Sequence, residues 1–456
     1  MDRNECRGIE HKALHLPWVR KYMEIRETKL CDWVSTFHPE RLNCHTVEPS
    51  ATTDSRGAFN IVCKIKFDTT GETWAVRFPQ HSIDLSVSDE KVEAEVAAIN
   101  IVREQTDIPV PEIKAWGLAR DNPLGLGPFI MSAWVDGIRL SDVLIKKRGP
   151  GVSRLIDEDV SVTTLERLWR QIARFILQMS RINFDVIGSC SKSPRRPWTC
   201  KLYEIMESAV QPSWPSCKTF TSTIEYFNLI ADHDLRQLHD QPNSVDDEDD
   251  ARQKYIKWTV MRQLVPRFVT ADHGPFKMIC DDFGPMNMLV NNDTDLEIVA
   301  VIDWEWTWAG PPELFWSPPL WLIGLQPVSW ANHDEDACLE RYLQSLDVFI
   351  RVLAEEETKI AHGCEPGTRP SELLRQCQRD GSMWFYHILQ QGYNGPTSVL
   401  FRELRASISD WDELVAAVST EETEAFVRKK MEHLRRYEEE LAETKRRYPH
   451  PWMRVQ

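Results

Sequence analysis

From Ala58 to Val76 the chain alternates: Phe59, Ile61, Cys63, Ile65 and Phe67 are apolar, and Lys64 and Lys66 stand between them. A period of two predicts a strand with one buried face. Asp68–Gly71 is turn chemistry and Thr73–Phe78 reads as a second strand, so the two form a β-hairpin. The period then lengthens. Val92, Val96, Ile99 and Val102 make one stripe along Asp89–Glu104, which predicts a helix. The extended, proline-punctuated Ile108–Pro111 leads to another strand near Phe129–Val135.

From about Leu140 onward the pattern is mostly helical. Val162–Ile182 carries Leu165, Leu168, Ile172, Phe175, Ile176 and Met179 on one side, the mark of an amphipathic helix. The acidic run Asp246–Asp250 reads as a solvated loop and not as a metal site, and the mixed charges of residues 421–447 as an exposed terminal helix. Ahead of the hairpin, Leu16–Phe37 has apolar positions at helical spacing. The predicted class is therefore α+β, with a helical extension over 1–50, a small antiparallel sheet with one helix over 51–135, and a larger helical part over 136–456.

Composition narrows the function classes. The 42% hydrophobic and 27% charged residues are those of a globular chain, and the 18 tryptophans are scattered, as core and pocket walls would be. A net charge of −16 argues against nucleic-acid or anionic-membrane partners, which need a basic face. No apolar run of membrane-spanning length is seen, and the first thirty residues lack the apolar core of a secretory signal. The 11 cysteines are spread out with no C-x-x-C pair, so neither a disulfide framework nor a zinc site is expected. Reduced thiols in a cytoplasmic protein account for them.

The chemistry concentrates between Met278 and Gly310. Two apolar strands, Met288–Val290 and Ile298–Ile302, bracket a turn of Asn, Asp and Thr. Asp282 and Asn287 precede the first strand and Asp303 ends the second, which gathers two carboxylates and an amide at one hairpin edge. Hard oxygen donors of this kind suit magnesium, which binds through one or two carboxylates plus substrate phosphates. Asp-x-x-x-x-Asn is also the spacing of a kinase catalytic loop, where the Asp takes the substrate hydroxyl proton and the Asn binds metal. As purely structural residues, the same three would cap turns and the next helix. No G-x-x-x-x-G-K-[ST] stretch is present, which removes a P-loop.

The segment resembles the signature of the aminoglycoside phosphotransferase-like family, His-x-Asp-x-x-x-x-Asn followed by Ile-Asp-Trp-Glu, and is most similar to its representatives in filamentous fungi. Further phrases match in order over residues 55 to 330. Arg56-Gly57-Ala58-Phe59-Asn60 resembles the phosphate-covering turn, and Trp74-Ala75-Val76-Arg77-Phe78-Pro79 the strand with the phosphate-binding cation. Glu95 with Thr106–Pro111, Phe184–Ser189 and Gly310–Glu313 are also family-like.

The resemblance implies a two-lobed, protein-kinase-like fold using ATP and Mg2+ to phosphorylate a hydroxyl, or else an amine, of a small metabolite. Asp282 would be the catalytic base, with Asn287 and Asp303 as magnesium ligands. Arg77, oriented by Glu95, would contact the ATP phosphates under a turn containing Gly57 and Phe59. Adenine would dock on Phe129–Trp134, at Met131, Ser132 and Ala133. Cys280 stands where the motif has His, which leaves a catalytically weak binding or regulatory protein as the alternative. Asp281 is a second carboxylate at the site, though the spacing to Asn287 favours Asp282.

Overall fold

The computed structural model describes residues 5–47, 55–56, 59–80, 85–145, 155–191, 196–199, 201–202, 218–359, 369–391 and 398–447. Strands β1 (Cys44–Thr46) and β2 (Ser55–Arg56) precede the predicted hairpin, whose arms are β3 (Asn60–Phe67) and β4 (Thr73–Pro79). With β5 (Ile113–Gly117) and β6 (Phe129–Ala133) they make an antiparallel sheet in the order β1-β3-β4-β6-β5, β2 lying against β3.

Register decides what each face does. Ile61 pairs with Phe78, Cys63 with Val76 and Ile65 with Trp74, so the apolar positions of both arms share one face. That face is buried beneath α1 (Glu5–Thr28) and α2 (Leu30–Ser35), where Trp18, Tyr22, Trp33 and Val34 pack onto it. Trp33 meets Phe129 edge to face, 4.7 Å between ring centroids. The opposite face holds Asn60 and Arg77, and α3 (Leu85–Gln105) lies across it with Val92 and Val96 against Ile130. Because Val76 and Phe78 take the outer side, Arg77 between them must point inward.

Beyond the sheet the chain is mainly helical, starting with α4 (Leu140–Leu144) and α5 (Val162–Met179). Ser161 caps α5 by accepting the Thr164 N–H at 3.1 Å. Two small sheets sit among the helices. One joins β8 (Asn183–Phe184) and β9 (Gly188–Ser189) to β10 (Phe276–Cys280) and β13 (Thr307–Gly310). The other joins β7 (Ile138–Arg139) to β11 (Met288–Val290) and β12 (Ile298–Val301). Among the described residues no helix is long and apolar enough to cross a membrane.

Two expectations need correction. The acidic run is exposed over 246–249, as expected, but it is loop only at Asp246 and Asp247: Asp247 caps the helix Glu248–Leu264 by accepting the Asp250 N–H at 2.8 Å, and Asp250 pairs with Lys254 at 2.6 Å. Carboxylates are favoured there because the helix N-terminus carries partial positive charge. Nor is the terminal helix, Thr420–Arg447, simply exposed. It buries Phe426, Val427 and Tyr437, and Phe426 stacks on Tyr255 with centroids 4.9 Å apart.

Candidate active site

The loop between β10 and β11 is built from backbone contacts that the sequence dictates locally. Phe283 N–H donates to Cys280 O at 3.1 Å, and Asn287 N–H to Gly284 O at 3.0 Å. A side chain at Gly284 would place its Cβ 2.9 Å from the Trp321 indole, so the loop packs there only as glycine. The fold thereby brings Asp282 and Asn287 together: the Asn287 amide donates to the Asp282 carboxylate at 2.8 Å and to its carbonyl at 3.1 Å. Its remaining amide oxygen stays available as an acceptor. Ile302 N–H donates to Asn287 O at 2.8 Å, tying the following Asp303 to the same loop.

Asp303 is one of the non-glycine residues with positive φ, at 62°. Such a conformation carries strain for most residues and gathers at functional sites, although Asp tolerates it better than most. It turns the carboxylate toward the sheet, where Arg77 holds it at 3.1 Å across 226 residues of sequence. Arg77 also pairs with Glu95 on α3. Glu95 is only 3% exposed, so neither an open strand arginine nor a solvated helix glutamate describes this pair.

Two further residues complete the cluster and were not singled out in the sequence. Lys91, one helical turn before Glu95, pairs with Glu305 at 2.7 Å, and both are buried. Asn60 donates to the same Glu305 oxygen atom at 2.9 Å, joining the sheet to the β12–β13 segment. The Lys91 ammonium lies over the Trp306 ring at 4.2 Å and the Phe59 ring at 5.1 Å. Their spacing held a usable signal: Lys91 is at i−4 from Glu95 on one helix face, and Glu305 lies two positions after Asp303. A third link, Arg196 with Glu90 at 2.8 Å, ties α3 to the chain beyond α5.

Electrostatics follow from this crowding. Three carboxylates, Glu95, Asp303 and Glu305, face two cations, Arg77 and Lys91. Burial and then Glu305 push the Asp303 pKa well above the usual carboxylate range, against the pull of Arg77. Burial alone would lower the Arg77 pKa, but Glu95 and Asp303 outweigh it and raise it further. Asp282 stands at the open mouth of the cleft. The protein walls around it raise its pKa, opposed by the Asn287 hydrogen bond.

The other expected positions divide. Phe59 packs edge to face on Trp306 at 5.1 Å. Met131 is buried in the sheet core, so its side chain faces away from Arg77, while Ser132 and Ala133 are half-buried at the end of β6. Gly57 lies outside the described residues. Cys280 ends β10 beside Thr307, and burial raises its thiol pKa, which leaves it a neutral thiol. Asp281 accepts the Trp308 indole N–H at 2.9 Å. Glu313, in the Gly310–Glu313 phrase, accepts the N–H groups of Thr270 and Ala271, each at 2.7 Å, and so braces the chain entering β10.

The residues present fit a magnesium ion. Asn287 and Asp303 offer hard oxygens, one carboxylate oxygen of Glu305 is buried without a hydrogen-bond partner, and the cluster has one carboxylate more than its cations. Among the described residues no group of three or more His, Cys, Asp or Glu could hold a metal without other donors. Two protein ligands completed by phosphate oxygens is the usual arrangement for this ion.

A model of the phosphotransferase enzyme family matches residues 64–314. Comparison with curated proteins finds no match. Among solved structures, the chain is similar to a GDP complex of aminoglycoside 2'-phosphotransferase-IIIa at 15% identity and TM-score 0.41, covering 84% of this chain and 91% of that one. It is similar to an ethanolamine kinase of Plasmodium vivax at 13% identity and TM-score 0.40, covering 88% and 83%. A choline kinase of Cryptosporidium parvum is similar at 13% identity and TM-score 0.38, covering 91% and 96%.

Proposed function

The chain belongs to the phosphotransferase enzyme family, and from that premise we propose that it transfers the γ-phosphoryl group of ATP, with Mg2+, to a hydroxyl of a small molecule. The observation that carries this reading is the link from sheet to loop: Glu95 holds Arg77, Arg77 holds Asp303, and Asp303 lies beside the hydrogen-bonded Asp282–Asn287 pair. One continuous set of contacts thus joins a phosphate-binding cation, two metal ligands and a base.

Phosphoryl transfer asks the protein mainly for positioning and charge stabilisation. Asp282 accepts the proton of the acceptor alcohol as its oxygen attacks the γ-phosphorus. The bond from that phosphorus to the β,γ-bridging oxygen breaks, and ADP leaves with the electron pair. A raised pKa makes Asp282 a somewhat stronger base than an ordinary carboxylate, and Asn287 keeps it aligned. Arg77, permanently charged and planar, binds phosphate oxygens, with Glu95 fixing its orientation. Asn287 and Asp303 would hold magnesium, which when bound neutralises charge developing on the phosphates. Lys91 and Glu305 keep α3 against the loop so that Glu95 stays in reach of Arg77.

The test is calorimetry of ATP with and without magnesium, on wild type and Asp303→Ala. Binding that requires magnesium and weakens at least about tenfold in the variant supports the site, since a lost charged contact costs roughly 1.5–3 kcal/mol. Absence of binding in wild type would instead favour a noncatalytic, kinase-like binding protein, the alternative that Cys280 in the motif raises.

A further inference from the structure

A cavity of about 310 Å³ opens beside Asp282. It is bounded by the β10–β11 loop, α4, α5 and the stretch from Leu314 to Ser329, and neither Arg77, Glu95, Asn287 nor Asp303 lines it. Its size lies at the lower end of small-molecule pockets, roughly 300–1,000 Å³. Asp281 and Asp282 are the only charged side chains among its described lining residues, and both lie at the loop end. Asp281 is already engaged by the Trp308 indole. Beyond that end the walls are Ile145, Ile176, Phe315, Leu320 and Trp321, with Met286 at the mouth, and the polar side chains are three serines and two glutamines.

We infer that the acceptor is an uncharged alcohol with a predominantly apolar body, its hydroxyl at Asp282 and its body against Ile145, Ile176 and Trp321. This deepens the phosphotransferase reading and rests on it for the direction of the hydroxyl. A polycationic amino sugar would bring several ammonium groups into a cavity with two carboxylates among its described lining residues, both at one end. Each of the others would have only serine, glutamine and backbone oxygens to replace the water it loses, and neutral dipoles repay a desolvated charge poorly. An aliphatic or aromatic body, by contrast, gains from every apolar atom it removes from water. The wall is preformed: Trp321 is pressed by the glycine of the loop and meets Phe349 edge to face, with centroids 5.9 Å apart. Asp282 at the mouth then takes the alcohol proton, the alcohol oxygen takes the γ-phosphoryl group, and ADP departs.

The experiment uses the full chain with Mg–ATP and three acceptors: naphthylethanol, choline and kanamycin. ADP formation gives kcat/KM, and ligand-observed NMR reads acceptor binding independently of turnover. The expected result is a kcat/KM for naphthylethanol at least about tenfold above both cations, the scale of discrimination that apolar pocket contacts supply. Ile145→Asp should erase most of that margin, and Trp321→Leu, which keeps an apolar side chain, should raise KM for naphthylethanol several-fold more than it lowers kcat. Equal or better use of choline or kanamycin overturns the inference while leaving the phosphotransferase reading intact. Failure of naphthylethanol to bind overturns it as well. If naphthylethanol binds wild type but not Ile145→Asp, and no ADP forms with any acceptor, the cavity assignment stands and the phosphotransferase reading falls.

Discussion

Toward the sheet, the cleft is a chain of charges: Glu95, Arg77 and Asp303 on one path, Lys91, Glu305 and Asn60 on the other. Toward the helices, it is a cavity whose described walls set aliphatic and aromatic side chains beside three serines and two glutamines, the two carboxylates among those described residues lying where the loop enters. The two sides solve different problems. Polyphosphate and a metal ion need charges already oriented, and orienting them requires partners from several elements. An acceptor held by its apolar body needs shape and dryness, which a few rigid rings supply. On the proposed reading, specificity would be electrostatic on the first side and steric on the second, so mutations should separate them.

The largest effect is expected at the seam. Asp282→Ala should lower kcat about 10³-fold, within the range general-base catalysis supplies, while calorimetric Mg–ATP binding persists. Near-normal turnover would remove Asp282 from the base role and point to Asp281. Next comes the charged side. Lys91→Met leaves Glu305 buried with Asn60 as its remaining named donor, and breaking one half of a buried pair should cost about 3 kcal/mol in denaturant unfolding. Adding Glu305→Leu should restore much of that loss, since an apolar replacement of both partners leaves no buried charge. Failure of the double variant to recover would mean that Glu305 answers to something other than Lys91.

The smallest effect lies behind the cavity wall. His387, fully buried, bonds the Pro318 carbonyl through Nε2 at 3.1 Å, and Pro318 lines the cavity. Burial holds its pKa at about 4 against an ordinary 6.5. The unfolded chain therefore takes up this proton first, so stability is unaffected above about pH 7, falls as pH drops from 6.5 toward 4, and levels below that. The loss should be about 1 kcal/mol at pH 5.5. His387→Gln should flatten this part of the stability profile, and an unchanged slope would assign it to other groups.

Much of the charged side was legible in the sequence because its geometry is local. Asp282 and Asn287 sit on one turn, and the alternation of Val76 and Phe78 already turns Arg77 inward. Lys91 and Glu305 escaped because their spacing sets each near Glu95 or Asp303 but nothing local pairs a helix lysine with a carboxylate two strands beyond the loop. The cavity escaped for a similar reason. Ile145, Ile176 and Trp321 are ordinary apolar residues in three distant segments, and only their convergence makes a wall. The acidic run and the terminal helix were read only in part: both are largely exposed, but charge hid the helix start in one and the buried stripe in the other. Asp247 acts as a cap because a helix starts directly after it, and Phe426 is buried because Tyr255 lies opposite.

By itself, then, the sequence determined most of the elements, the face on which Arg77 lies, and the spacing of Asp282, Asn287 and Asp303, since these follow from periods of two and 3.6 and from one short loop. Tertiary structure alone decided which cation meets which carboxylate and which apolar side chains converge beside Asp282. Pairings such as Asn60 with Glu305 close over 245 residues. At that range a partner is selected by the packing of whole elements, and no local pattern encodes it.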